Sequence, residues 1–443
     1  MKRVNPFSLA MALGLLVAQA SAGGEGDRTL NRSEDPVVVT AEQLGPMQGE
    51  AVSGLALLRW QGGSFEPVPW QVDEKNPAGK FCLEQGPKAN IQECNGHLDG
   101  KDELVFMAAD AGARAPESAA KPAGAGKAAE LELSDPVAGG KGWAYLMVFA
   151  ANPPRSNADY VKRETKEERH WVLAENYQFA EQVGASYFDR LLLKNADGKM
   201  SVNLVDQLNG GVDVKLMHGL VSTSIRGRTT RADQIAWTDG PVRVIQRMYG
   251  YMKEGPIKLG GSGGADDLFY RNFLVTPIYI NIPFDPSSIF SDFHMNYMID
   301  WNKASDGLSF FDSANPKGVR LDGKMDAEEK ALDTKSANNY WAVSGPQGSL
   351  LVRLTGTAEW AKIVTLQTYY LDDDTAKVKN SEDNVPGERQ TGFEFGGIKN
   401  IGKGTQSFTF YYFSPARAIG VDNVKPILDV LDHPLRVKTE PWK

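Results

Sequence analysis

The stretch "GPVRVIQRMYGYMK", residues 240–253, changes character at every second position rather than every third or fourth. In an extended strand it puts Arg243, Ile245, Arg247, Tyr249 and Tyr251 on one face. Val242, Val244, Gln246, Met248 and Gly250 take the other. A Gly-Pro pair bounds it, so it reads as a strand rather than part of a helix. "DLFYRNFLVTPIYINIPF" (267–284), "MNYMIDW" (295–301), "SLLVRLTG" (349–356), "AKIVTLQTYYL" (361–371) and "QSFTFYYF" (406–413) repeat the texture. Upstream, shorter runs alternate with turn residues: "PVVVT" (36–40), "GLALLRW" (54–60), "PVPWQV" (67–72), "DELVFMA" (102–108), "AELELS" (129–134) and "GWAYLMVFA" (142–150). Such spacing of strands predicts an all-β chain with few short helices.

Residues 1–22 have the form of a secretory signal. Lys2 and Arg3 precede the apolar "FSLAMALGLLVAQ", and Ala20–Ala22 supplies small residues for cleavage. Residues 23–36 form a polar arm, 37–150 a first β-sandwich, and 151–443 a larger β-domain. The expected compartment is therefore periplasmic or extracellular, with no transmembrane segment. Removing the signal shifts the formal net charge from −8 to −10. A chain this acidic, with no basic run, argues against nucleic acid or an anionic membrane as partner. The two cysteines, Cys82 and Cys94, predict one local disulfide in an oxidising compartment. "GARAPESAAKPAGAGKAA" (112–129), poor in large apolar residues, reads as a long exposed loop. Two helices stand out. "MDAEEKALD" carries a capping box from Asp326 to Glu329. "DNVKPILDVLDHPL" stripes Val424, Ile427, Leu428 and Leu431 on one face before Pro434.

"FEPVPWQVDE" (65–74) followed by "NGHLDGKDELVFMAADAG" (95–112) resembles the N-terminal β-sandwich of certain secreted bacterial proteins, some tied to polysaccharide breakdown. "TDGPVRVIQR" (238–247) and "NVPGERQTGFEFGGIKNIGKGTQSFTFYYF" (384–413) resemble strands of the supersandwich shared by galactose-mutarotase-like proteins and several polysaccharide lyases. The resemblance implies a supersandwich-like second domain and a carbohydrate-active or carbohydrate-binding protein. It lies in strand texture and turn placement, and no catalytic residue carries over.

Candidate sites follow from residue chemistry. Asn95, Asp99, Asp102 and Glu103 gather oxygen donors around the Asp99-Gly100 turn, which leaves calcium open as a cofactor. An EF-hand is excluded, because with Gly100 at the loop glycine the bidentate acid falls on Phe106. The preferred reading is a polar turn pinned by the disulfide. Asp372–Asp374, with Glu382 and Asp383, form a second acidic run with the same two readings. "LGGSGGADD" spells G-x-S-x-G around Ser262, but no strand-to-helix turn surrounds it, so it reads as a glycine-rich loop. The five histidines are isolated in sequence.

The segment from Tyr270 to Trp301 is the densest in aromatic and titratable groups. A lyase needs a Tyr or His to abstract a proton and an Arg to neutralise the neighbouring carboxylate. Tyr270, Arg271, His294 and Tyr297 are the candidates for that chemistry. Trp301, Tyr249 and Tyr251 are candidates for stacking on sugar rings. The alternative is a non-catalytic envelope protein that binds a protein partner or serves a structural role. It predicts an exposed apolar patch.

Overall fold

The computed structural model describes residues 26–185, 187–216, 221–226, 230–254, 257–376 and 388–443. The proposed signal segment lies outside them. All paired strands are antiparallel, and the chain is all-β.

Two sheets form the first sandwich. One carries β1 (Pro36–Thr40), β5 (Glu103–Met107) and β4 (Gln71–Asp73), in that spatial order. The other runs β26 (Arg436–Trp442), β6 (Ala125–Ser134), β7 (Lys141–Phe149), β2 (Leu55–Gln61) and β3 (Ser64–Pro67). The three-stranded sheet is covered on both faces, which explains why "ELVFM" reads as a continuous apolar run. Leu104 and Phe106 point into the sandwich core, while Val105 and Met107 pack against Val242, Tyr270 and Phe273 of the second part.

Three sheets build the remainder. A meander holds β11 (Phe188–Leu193), β10 (Tyr177–Gln182), β9 (Arg169–Ala174) and β8 (Val161–Lys166). A five-stranded sheet runs β13 (Val221–Arg226), β12 (Val205–Leu216), β18 (Phe290–Trp301), β24 (Glu388–Gly396) and β23 (Thr365–Asp373). The nine-stranded sheet begins β14 (Thr230–Asp239), β15 (Arg243–Glu254), β16 (Ile257–Tyr270), β17 (Phe273–Ile282) and β25 (Gly404–Phe413). It continues through β22 (Gly348–Gly356), β21 (Tyr340–Gly345), β19 (Ser309–Asp312) and β20 (Val319–Arg320). One core joins the three. Tyr297 stacks on Phe410 at 4.1 Å, Trp301 meets Trp341 edge-on, and Phe179 meets Phe269.

The helices are short. α1 spans Pro286–Ile289, α2 Ala327–Lys330, α3 Ala358–Ala361 and α4 Lys425–Asp432. α2 has the expected reciprocal capping box between Asp326 and Glu329. α4 buries Ile427 and Val430.

Three readings are corrected. The glycine-rich run around Ser262 is the interior of β16, paired with β15 and β17, rather than a loop. Its glycines serve close backbone approach: a Cβ on Gly264 would lie 2.6 Å from the Met248 carbonyl oxygen. The Ala/Gly/Pro stretch is partly ordered. Ala115 is buried with its N–H donating to the Tyr145 hydroxyl, and β6 begins within it at Ala125. Residues 436–442, read as part of the second domain, form β26, which pairs along β6 of the first sandwich from Arg436–Ser134 to Trp442–Ala128. Trp442 closes an edge-on aromatic cluster with Phe65 and Tyr145.

The two parts are clamped at Arg243, which is 1% exposed. Its Nε donates to Asp73 at 2.7 Å, one terminal nitrogen to Glu103 at 2.6 Å and the other to the Tyr270 hydroxyl at 2.9 Å. The Gln71 side chain accepts from the backbone N–H groups of Val242 and Arg243. Cys82 and Cys94 form a disulfide with Cα atoms 6.3 Å apart. The loop it pins docks on the outer face of β14 and β15. Gln85 pairs with Trp237, Lys88 N–H donates to Ile235, and Leu83 packs on Ala236 and Ile245.

Candidate functional site

The structure separates the four residues considered for proton abstraction. Tyr270 is buried at the clamp, bonded to Arg243. Arg271 pairs with Glu175 at 2.7 Å and lies over the Tyr160 ring. His294 is exposed near one end of the five-stranded sheet, beside Asp292. Tyr297 points into the core, its hydroxyl meeting that of Tyr412. Trp301, a candidate stacking residue, is buried with its indole N–H bonded to Thr391. Tyr249 and Tyr251 share the outer face of β15, with rings 6.2 Å apart and Lys88 over Tyr249.

Nor do the proposed calcium donors converge. Asp102 accepts the backbone N–H groups of Lys75 and Asp99 at 2.7 and 2.9 Å. Asn95 donates to Asp99, and Glu103 is held by Lys75 and Arg243. In the second acidic run, Asp374 is paired with Arg389, and Asp372 accepts from the N–H groups of Asp322 and Gly323. Glu382 and Asp383 lie outside the described residues. Among the described residues no group of three or more acids, histidines or cysteines is placed to hold a metal ion.

The five-stranded sheet supplies an arrangement that no single segment announces. Its core face carries Leu208, Ile299, Phe393, Phe395 and Leu366. Alternation turns the intervening residues outward. Strand register then sets them in rows. Gln207, Asp300, Gln390 and Leu371 make one row. Asn209, Met298, Gly392 and Tyr369 make the next, followed by Gly211, Asn296, Glu394 and Gln367. Asp213 and His294 lie beyond.

One end of this face is closed by hydrogen bonding. Gln207 donates to Asn209 at 2.8 Å, Asn209 to Asp300 at 3.1 Å, and Gln390 to Glu388. These five side chains are buried although they point away from the apolar core. Towards the other end, Tyr369, Asn296, Glu394, Gln367 and Asp213 are half-exposed. The Asn296 amide oxygen has no protein partner. Gly392 and Gly211 leave the middle of the grid without side chains. At Gly392 a Cβ would lie 2.1 Å from the Tyr297 carbonyl oxygen, so the position stays bare. The result is a field of amide and carboxylate groups beside one phenol ring.

A separate cavity of about 20 Å³ lies in the core between Tyr177, Phe179, Phe188, Leu274 and Tyr412. It has room for one water but not for a ligand. No described helix is long and apolar enough to cross a membrane.

No protein family matches the chain, and no curated sequence matches it. Among solved structures the chain is similar to an alpha-mannosidase from Enterococcus faecalis V583, with 7% identity and a TM-score of 0.45. The alignment covers 94% of this chain and 45% of that enzyme, so the chain spans less than half its length.

Proposed function

We propose that this is an exported carbohydrate-binding protein whose ligand lies across the half-exposed end of the five-stranded sheet. One observation carries the reading: the outward face there is polar and amide-rich, with Asn296, Glu394, Gln367 and Asp213 half-exposed around the buried Gly211 and Gly392 and the Tyr369 ring alongside. Sugars present many hydroxyls and a few apolar ring faces. Fixed amides and carboxylates beside an aromatic ring answer both. An apolar plug on this face would have argued against a glycan. Binding is favoured over lyase chemistry because Tyr270, Arg271, His294 and Tyr297 lie apart.

The test is calorimetric titration of neutral and acidic oligosaccharides into the wild type and into Asn296→Ala and Tyr369→Ala. The expected result is saturable binding to at least one glycan, weakened tenfold or more in each variant with melting temperature preserved. Absence of binding across the panel, or binding unaffected by both changes, overturns the proposal.

A second reading has its own observation. Near the end of β17 and in the connection to β18, Tyr279, Phe284 and Ile289 are 45, 38 and 42% exposed, and Phe284 leads into a ring cluster with Phe290 and Phe293. A protein partner in the envelope would use such a patch. Substituting Phe284 and Ile289 by Ser would then abolish a co-purifying protein while leaving glycan titrations unchanged.

A further inference from the structure

The inner face of the four-stranded meander is apolar through Val161, Val172, Tyr177, Phe179 and Leu191, but one end of it is not. There Glu181 of β10 stands opposite His170 of β9 in register, with Arg163 of β8 alongside. Facing them across the seam are Gln234 of β14, Gln246 of β15 and Asp267 of β16, the last two being register partners. Thr276 of β17 reaches Asp267, and the Tyr297–Tyr412 hydroxyl pair of β18 and β25 adjoins both carboxyls.

Glu181 accepts from the amides of Gln246 and Gln234 at 3.3 and 3.5 Å, both long. Among the described residues no ion pair joins Glu181 or Asp267. Arg163 bonds instead to the Gln234 amide oxygen and the His170 ring, with its guanidinium 3.8 Å over Trp237. Asp189 of β11 is neutralised by Arg169, and Asp266 by Arg247. Two acceptors, Asp267 Oδ1 and Gln246 Oε1, are buried with no hydrogen-bond partner. One donor of the seam, Arg163 Nε, is likewise buried without a partner, so two orphaned acceptors stand against one orphaned donor, and a carboxylic O–H is a donor that can supply the difference.

We propose that Glu181 and Asp267 form a proton-held latch: the meander stays closed on the nine-stranded sheet while at least one of the two carboxyls is protonated, and it opens locally as the pair ionises. With both ionised, two buried negative charges face each other through neutral amides, and among the described residues Arg163 is the cation that offsets Glu181. The electrostatics agree. Burial first, then the neighbouring carboxylate, raises Asp267 well above its ordinary value. Burial pushes Glu181 up to about 7, against the opposing effects of Gln234 and Arg163. Burial and Arg163 together pull His170 down to about 4, so it stays neutral through the working range. Arg163, lowered by burial to about 10, stays charged. Raised carboxyl values mean stability that is complete below the ordinary carboxyl range and lost as pH rises to the folded value, so the Glu181 share of the latch is lost on the way up to about pH 7 and the Asp267 share as that group in turn ionises.

The test is hydrogen exchange by mass spectrometry on the full chain from pH 5.5 to 8.5, with intrinsic exchange rates divided out. The expected result is selective loss of protection in peptides from residues 161–193, up to about tenfold per pH unit for each carboxyl as pH rises towards 7, levelling off once both have ionised. Glu181→Gln and Asp267→Asn, which remove the titrating charge, should each flatten the profile. Flat protection in the wild type, an unchanged decline in either variant, or a uniform loss over the whole chain overturns the latch. The wild-type profile decides the matter even if one variant fails to fold.

Discussion

Replacing Arg243 by Met should be among the most damaging single changes in this protein. The substitution keeps much of the side chain's volume but removes the cation that Asp73, Glu103 and the Tyr270 hydroxyl share. Asp73 is left buried with only the Gln71 amide as donor, while Glu103 keeps Lys75. Removing one partner of a buried ion pair costs about 3–5 kcal/mol, because the remaining charge has lost its compensation. The pH dependence follows. Burial holds Asp73 above its ordinary value even with Arg243 present, and without Arg243 it rises further. A carboxyl raised in the folded state contributes stability below its unfolded value and loses it as pH rises through the folded value. The variant's deficit should therefore be largest at neutral pH and shrink on acidification, as Asp73 takes up a proton. Glu103 runs the other way. Despite burial, Arg243 and Lys75 hold it below its ordinary value, so the wild type loses that contribution as pH falls through the folded value. Urea unfolding of wild type, Arg243→Met and the double variant with Asp73→Asn, at pH 5 and 7, measures all of this. The double variant should recover much of the loss. A single-variant deficit under about 1 kcal/mol that does not change with pH would refute the clamp.

Further outcomes are expected at the disulfide and at two glycines. Cys82→Ser with Cys94→Ser should lower stability by about 2–3 kcal/mol. Wild type in reductant should show the same urea midpoint as the double variant, because the bond pins the loop that packs Leu83 on Ala236 and Ile245. Gly264→Ala should cost about 1–3 kcal/mol through overpacking against the Met248 carbonyl and the Tyr279 hydroxyl. Gly402→Ala, with nothing within 4 Å of the added carbon, should leave the melting temperature unchanged.

The strands of this fold are legible because a half-buried strand must alternate. β15 buries Val244 and Met248 on one side and sets Arg247 and Tyr249 on the other, as its period demands. The capping box at Asp326 was legible for a similar reason, since both of its bonds are local. What stayed hidden depends on partners remote in sequence. Nothing near Ser262 says that β15 and β17 will close on its glycines and turn an apparent loop into strand. Arg271 and Tyr270 are adjacent, yet alternation sends one to the surface and the other to the clamp. The polar field on the five-stranded sheet unites residues 213, 296, 394 and 367, whose neighbourhood exists only once four strands are in register. The Glu181–Asp267 seam likewise needs two sheets to meet. Its local sign was an acid, Glu181, in line with Tyr177 and Phe179 on the otherwise apolar face of "YQFAEQ".

The pairing of β26 with β6 imposes an order on assembly. β6 is synthesised long before residues 436–442, and until they arrive its edge presents unpaired backbone groups between Leu131 and Leu133 on one face and Glu130 and Glu132 on the other. An open edge of this kind invites pairing with other chains. Contacts so distant in sequence also form late, because the intervening loop must first be closed. The first sandwich therefore stays incomplete while the chain is partly made, and a ribosome stalled between β25 and β26 would carry it with the β6 edge open. Docking of residues 436–442 moves the open edge from β6 to β26, where Lys438 and Pro441 make a poorer template for a further strand.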